Sequence, residues 1–164
     1  KVSSILSVPV VVKEVGWGIS VETARKLLNA GVAAIDVAGA GGTSWSEIEM
    51  HRTKDEILKI TAAAFRDWGI PTAEAIVDIH REFSKAILIA SGGLRNGIDI
   101  AKCIALGASL GGLAHEFLTA AAESEERLHE KIRVLSRQFR TVMFNTGSKN
   151  IEDLRIRKIE NIHQ

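Results

Sequence analysis

Short aliphatic or β-branched runs ending in glycines or small polar residues alternate along this chain with stretches of helical periodicity. The runs fall at 8–15, 32–37, 86–90 and 110–114. Near-continuous apolar runs of this length fit strands of a parallel sheet that is covered on both faces. Between them the period changes to that of amphipathic helices. Ser20 caps the first, which carries Val21, Ala24, Leu27 and Leu28 on one face and stops at Gly31. Pro71 opens a helix over 72–83, and Asn96, with Asp99 three residues on, starts another that runs through Ile104 to Gly107. A brief helix passes through Leu118 and Ala122. Ser124 then precedes Glu125 and Glu126, and the apolar spacing Leu128, Ile132, Leu135, Phe139 and Val142 predicts one long final helix. The second unit differs from the others. Its loop spans 38–71 and contains a charged segment, 47–59, that reads as one helix before Phe65-Arg-Asp-Trp68-Gly69.

Repeated βα units of this kind build a parallel sheet, and their glycine-rich C-terminal ends are where such sheets bind phosphorylated ligands. The expected fold is α/β, with parallel strands alternating with helices. Four units make only half of a TIM (β/α)8 barrel, which takes about 250 residues. The 164 residues, which open on Lys1 rather than methionine, therefore read as a single partial domain over 1–164. If the last two glycine-rich loops follow the seventh and eighth strands, the chain is the C-terminal half of that barrel. An open half would leave two sheet edges and an apolar interior uncovered, which predicts association or completion by another chain.

Composition narrows the function. With 46% hydrophobic and 25% charged residues the chain can bury one sizeable core, and 21 basic against 20 acidic residues leave no stripe suited to nucleic acid. No apolar run approaches the roughly 18 residues of a membrane span, no signal-peptide-like start is present, and the lone Cys103 has no disulfide partner. These features point to a cytoplasmic setting with no nucleic-acid or membrane partner. His51, His80, His115, His129 and His163 lack metal-ligand spacing, so no metal site is expected in this chain. Neither a nucleophile elbow nor a Walker loop occurs.

Chemistry is left to the strand ends. In Ser91-Gly-Gly-Leu-Arg95-Asn-Gly97, loop amides, a helix N-terminus and a guanidinium can converge on one anion, naturally a phosphate. The alternative is a tight turn with Arg95 solvated. Gly111-Gly-Leu-Ala114 repeats the arrangement on the next unit, where phosphate commonly sits between the last two loops of a barrel; here His115 would offer its backbone N–H rather than act as a general acid, and the alternative for the Gly111-Gly112 pair is a packing accommodation for close backbone approach. Lys13 interrupts an apolar strand near its C-terminal end, where a charge requires an anionic neighbour. That neighbour is either a ligand, such as a reduced flavin near N1, or a carboxylate such as Glu14 or Asp36. Gly39-Ala-Gly-Gly-Thr43-Ser44-Trp45 gives hydroxyls and an aromatic at a barrel mouth, where Trp45 can cover an apolar substrate, stabilise a developing carbocation through its π face, or simply pack. Trp17 and Trp68 read mainly as packing residues.

In this order, Val11-Val-Lys13-Glu-Val-Gly16, Asp36-Val-Ala-Gly-Ala-Gly-Gly-Thr43-Ser-Trp45, Asp67-Trp-Gly-Ile-Pro-Thr72 and Ser91-Gly-Gly-Leu-Arg95 resemble the type 2 isopentenyl-diphosphate isomerase family. The resemblance covers about residues 8–155, the second half of that family's barrel, and extends to Met143-Phe-Asn-Thr-Gly147 and Leu154-Arg155. It implies an FMN-dependent enzyme that interconverts isopentenyl and dimethylallyl diphosphate with Mg²⁺, its flavin kept reduced by NAD(P)H, and assembled as a tetramer or octamer. Lys13 and Thr43 match FMN-contacting positions. Gly93, Leu94 and Arg95 match the loop around the FMN phosphate, Ala114 and His115 match the following phosphate loop, and Trp45 matches an aromatic near the substrate. The family's diphosphate-binding basic residues, its Mg²⁺-binding Glu and a neighbouring Gln lie upstream of the matched region. One departure stands out: relatives often carry a small residue and proline where this chain has His115-Glu116, which puts a carboxylate near the expected phosphate.

Two further readings compete. Another FMN-dependent (β/α)8 oxidoreductase, such as an α-hydroxy-acid oxidase or an inosine monophosphate dehydrogenase-like protein, would use the same lysine and glycine loops. It lacks support from an Arg/His pair suited to hydroxy acids, and Cys103 falls inside a helix rather than a catalytic loop. The non-enzymatic reading is a half-barrel that binds a ligand or self-associates.

Overall fold

The computed structural model describes residues 2–160. Four strands, β1 (Val11–Lys13), β2 (Ala34–Asp36), β3 (Ile87–Ala90) and β4 (Leu110–Gly111), alternate with helices. A turn of helix, α1 (Val2–Ile5), precedes β1, and α2 (Val21–Asn29) follows it. Between β2 and β3 lie α3 (Trp45–Arg52), α4 (Glu56–Ala63) and α5 (Thr72–Glu82). Helix α6 (Gly97–Ala105) precedes β4, and α7 (His115–Glu123), α8 (Glu125–Asn145) and α9 (Ile151–Arg155) close the described chain. His163 lies outside the described residues.

All strand pairs are parallel, in the order β1-β2-β3-β4. An order that never reverses is the winding of a barrel, in which every crossover helix falls on the same outer face; a doubly wound sheet reverses at a switch point. The expected parallel α/β half-barrel architecture is what the chain adopts.

Local sequence explains the helix starts. The side chains of Ser20, Asn96 and Ser124 accept hydrogen bonds from the backbone N–H groups of Thr23, Asp99 and Arg127, as N-caps do. The charged segment at 47–59 is two helices, not one. Thr53 ends α3 in extended backbone, and the Asp55 carboxylate accepts from Ile57 N–H and Leu58 N–H to start α4.

The sheet's two faces have different environments. On one, Ile35, Val37, Leu88 and Ala90 are fully buried beneath Ala24 of α2 and Ala75, Ile76 and Ile79 of α5. A smaller cluster joins Ala101 and Ile104 of α6 to Leu154, with Phe139, Val142 and Met143 of α8 against it. A Cβ on Gly97 would overlap the Leu135 carbonyl and Phe139 N–H, so α6 and α8 touch backbone to backbone there. The other face is open: Val11, Ile87 and Leu110 are each about half exposed. This corrects the expectation that the first strand is covered on both faces. The predicted strand ends also shrink, from 8–15 to Val11–Lys13 and from 110–114 to Leu110–Gly111, because the flanking backbone turns into loops over the strand ends.

Candidate functional site

The C-terminal ends of three strands meet at one polar knot. Lys13 and Asp36 end β1 and β2 in register, which puts their side chains on the same sheet face. The Lys13 ammonium lies 3.0 Å from Asp36 Oδ2 and donates to Ser91 Oγ at 2.8 Å. Ser91 in turn donates to Asp36 Oδ1 at 2.6 Å, and that oxygen also accepts from Ala38 N–H. Asp36 is buried and fully satisfied by these partners, whereas the Lys13 side chain is 56% exposed. The ammonium is thus braced by two partners and still borders the cavity. The carboxylate alternative for Lys13 is thus realised with Asp36 and not with Glu14. Glu14 Oε2 instead accepts from the N–H groups of Gly16, Trp17 and Gly18 and folds the β1–α2 loop around itself.

The neighbouring loops are clasped by backbone. Thr72 Oγ1 donates to the carbonyls of Ser91 and Gly92, tying α5 to the loop after β3. Ala38 has φ +35, a left-handed conformation uncommon outside glycine, held by Asp36 on one side and by its carbonyl accepting from Gly18 N–H on the other. Trp45 is anchored by its indole N–H, which donates to the Val15 carbonyl at 2.8 Å, and the residue is 45% exposed.

Above the knot is a cavity of about 650 Å³. Lys13, Thr43 and Trp45 line one side, Gly93, Leu94 and Arg95 another, and Ala114 and His115 a third. All eight residues singled out from sequence therefore border one space. The donors facing it are cationic or uncapped. Arg95 forms no ion pair among the described residues, and Ala114, the N-cap of α7, leaves that helix's first amides without a side-chain acceptor. Such a set suits an anion.

Asp36 was legible in the sequence as a possible partner of Lys13, but the hydroxyl roles of Ser91 and Thr72 were not, and the loop-folding role of Glu14 depends on the path of the backbone after β1. The carboxylate of Glu116 borders the cavity, yet it pairs with Lys131 of α8. The hydrogen bond from Lys131 is the main reason its carboxyl sits below the usual range. Trp68 packs edge-on against Phe65, ring centroids 5.6 Å apart, but neither it nor Trp17 is buried in the core: both line a cleft of about 400 Å³ with Trp45 and Phe65, because α3 and α4 bury only Ser46 and Ala62 between them. Cys103 is buried in α6, where desolvation pushes its thiol up to about 11, so it offers no ready thiolate. Among the described residues no group of three His, Cys, Asp or Glu side chains is placed to hold a metal, and no helix is long and apolar enough to cross a membrane.

The sequence profile of the FMN-dependent dehydrogenase family matches residues 1–161. The chain belongs to that family. The chain is also similar to isopentenyl-diphosphate delta-isomerase of Synechococcus sp., 54% identical over 150 residues, 92% of this chain and 43% of the relative. It is similarly related to the enzyme of that name from Archaeoglobus fulgidus, 49% identical over 154 residues, 94% of this chain and 44% of the relative. The chain thus spans less than half the length of these relatives. Among solved structures, lactate oxidase from Pediococcus acidilactici superimposes with a TM-score of 0.73 at 26% identity, covering 96% of this chain and 38% of that one. A mandelate oxidase with benzoyl-formic acid gives 0.70 at 24% identity, covering 94% and 39%, and carries the fold alone.

Proposed function

We propose that this chain is the flavin-binding part of an FMN-dependent isomerase that interconverts isopentenyl and dimethylallyl diphosphate in isoprenoid biosynthesis. The observation that carries the reading is the convergence of Lys13, Thr43, Arg95 and the α7 amides on one cavity of a size usual for cofactor sites. The names and roughly 50% identity of the isomerase relatives favour it over an α-hydroxy-acid oxidase, whose solved examples share only the fold at about half that identity.

FMN fits the donor set: Arg95, the Gly93–Leu94 backbone and the amides of Ala114 and His115 would hold the phosphate, and Lys13, Thr43 and Trp45 would border the flavin ring. When bound and reduced, the flavin would supply the acid–base chemistry of moving a proton between allylic carbons. The chain's own residues do the positioning. Lys13, braced by Asp36 and Ser91, sets a positive charge at the cavity floor where it favours an anionic guest. Trp45, fixed through its N–H, presents an aromatic face suited to a carbocationic centre. Mg²⁺ and the substrate diphosphate would be held by residues beyond this chain, as the family resemblance implies, with NAD(P)H as reductant and a cytoplasmic homo-oligomer as the working form.

Titration of FMN into the purified chain tests the reading. Quenching of flavin fluorescence is expected, and Arg95→Ala should weaken it by about tenfold or more, the loss of one charge-assisted phosphate contact. No quenching by the unaltered chain would refute flavin binding. The chain alone is expected to give no isomerase turnover, and measurable turnover would show that its residues suffice.

A further inference from the structure

Glu116 is an anion in the first turn of α7, on the wall of a cavity where Lys13, Arg95 and the uncapped α7 amides favour anions and where the other two carboxylates, Glu14 and Asp36, are already taken up by loop amides and by Lys13 and Ser91. Left alone, it would oppose a phosphate lodged between Arg95 and the α7 amides. It is not alone: Lys131, from the second turn of α8, reaches across to its Oε2. Both side chains are about a quarter to a third exposed, so the pair is only partly screened by solvent. Arg95 and His115 also act electrostatically on Glu116, which places the carboxylate within range of the same charges that face the cavity.

We infer that Lys131 is a positioning residue for the phosphate site. It neutralises Glu116 and holds it back, and so lets a cavity that contains a carboxylate accept a phosphate monoester dianion. The inference rests on the flavin reading above, and it adds to the site a residue from a helix outside every glycine-rich loop. The ion pair spans the ridge between the cavity and an outer polar cleft lined by Thr119, Arg127 and Glu130. Removing the lysine would free the Glu116 carboxylate to swing toward Arg95, where it competes directly with phosphate.

The test compares FMN with riboflavin, which lacks the phosphate, by fluorescence quenching in the unaltered protein and three variants. Lys131→Met should weaken FMN about tenfold, as expected for one uncompensated like charge near a partly exposed site, and leave riboflavin unchanged. Glu116→Gln alone should bind FMN at least as tightly as the unaltered protein. The double variant K131M/E116Q should return to within about twofold of it, because the two changes act on one interaction. The FMN deficit of Lys131→Met should also shrink in 0.5 M salt if it is electrostatic, to about half or less on a logarithmic scale. The inference is overturned if Lys131→Met binds FMN normally, if it loses FMN and riboflavin alike, or if the double variant stays weak. Failure of the unaltered protein to bind FMN would overturn the flavin assignment itself and this inference with it, an outcome distinct from normal FMN binding by the variant.

Discussion

Asp36 supports more of the site than its size suggests. One oxygen pairs with the Lys13 ammonium and the other accepts from Ser91 O–H and Ala38 N–H, so one buried carboxylate fixes a cation, a hydroxyl and a left-handed backbone residue together. Asp36→Ala leaves the Ser91 hydroxyl and Ala38 N–H unpaired and Lys13 without a counter-charge. The expected loss is about 2 kcal/mol in urea unfolding, below the roughly 3–5 kcal/mol of a fully buried pair because half of the Lys13 side chain is in solvent. Asp36→Asn keeps an acceptor for Ser91 and should cost less. Equal stability of the alanine variant and the unaltered protein would show that the knot does not hold the strand ends. At this scale the sequence was readable where chemistry is anomalous: a lysine in an apolar run demanded an anion. Which anion depends on strand register, since Glu14 and Asp36 are both close in principle and only pairing of β1 with β2 sets Asp36 opposite Lys13. Lys131 was invisible for the same kind of reason, being fifteen residues from Glu116 on a helix whose pattern reads as an ordinary charged face.

Elements announced by capping chemistry were the most legible. Ser20, Asn96 and Ser124 each mark a helix start because a short polar side chain satisfies a local N–H, an interaction that needs no tertiary information. The division of 47–59 into α3 and α4 was missed although Asp55 is such a cap, since the run of charges masks it. Helix α9 was missed because five residues give too little periodicity, and Leu154 is buried only through contact with α6 and α8. The loops joining the elements owe their shape to backbone contact. Gly92 has φ +96, and a Cβ there would overlap the Gly39 carbonyl oxygen, so the loops after β2 and β3 interlock only without side chains. Gly92→Ala is expected to cost about 3 kcal/mol, combining overpacking against backbone with an unfavourable φ, and to lower FMN affinity as the Gly93–Arg95 segment shifts. Gly112→Ala provides the contrast: its Cβ would meet the Ser91 Cβ at 3.3 Å and the Ala90 carbonyl oxygen at an ordinary 3.8 Å, and it should cost under about 1 kcal/mol. Thermal unfolding that ranks the two variants the other way would contradict the interlock.

At the scale of the whole molecule, the open sheet face decides how the chain behaves in solution. Val11, Ile87 and Leu110 sit on the side of the sheet away from α2 and α5, each about half exposed, and β1 and β4 each have one edge with no strand partner among the described residues. In a closed barrel these side chains would fill the interior and the edges would pair. Left uncovered, an apolar face flanked by two free edges favours association over a lone chain in water. The chain on its own is therefore expected to run as a dimer or larger species in multi-angle light scattering at micromolar concentration. The double variant I87E/L110E should shift it toward monomer, because each glutamate would have to be desolvated in any interface built on that face. A monodisperse monomer that unfolds cooperatively would sink this expectation and imply that the outer-face core beneath α2 and α5 suffices alone. Within a chain of the relatives' full length the same substitutions have a different consequence. There the face would be covered by further strands of the same polypeptide, so the glutamates would be buried in the barrel interior and would lower stability by several kcal/mol without changing the oligomer. The direction of the effect, on association or on folding, thus distinguishes a self-pairing half-barrel from one part of a closed barrel.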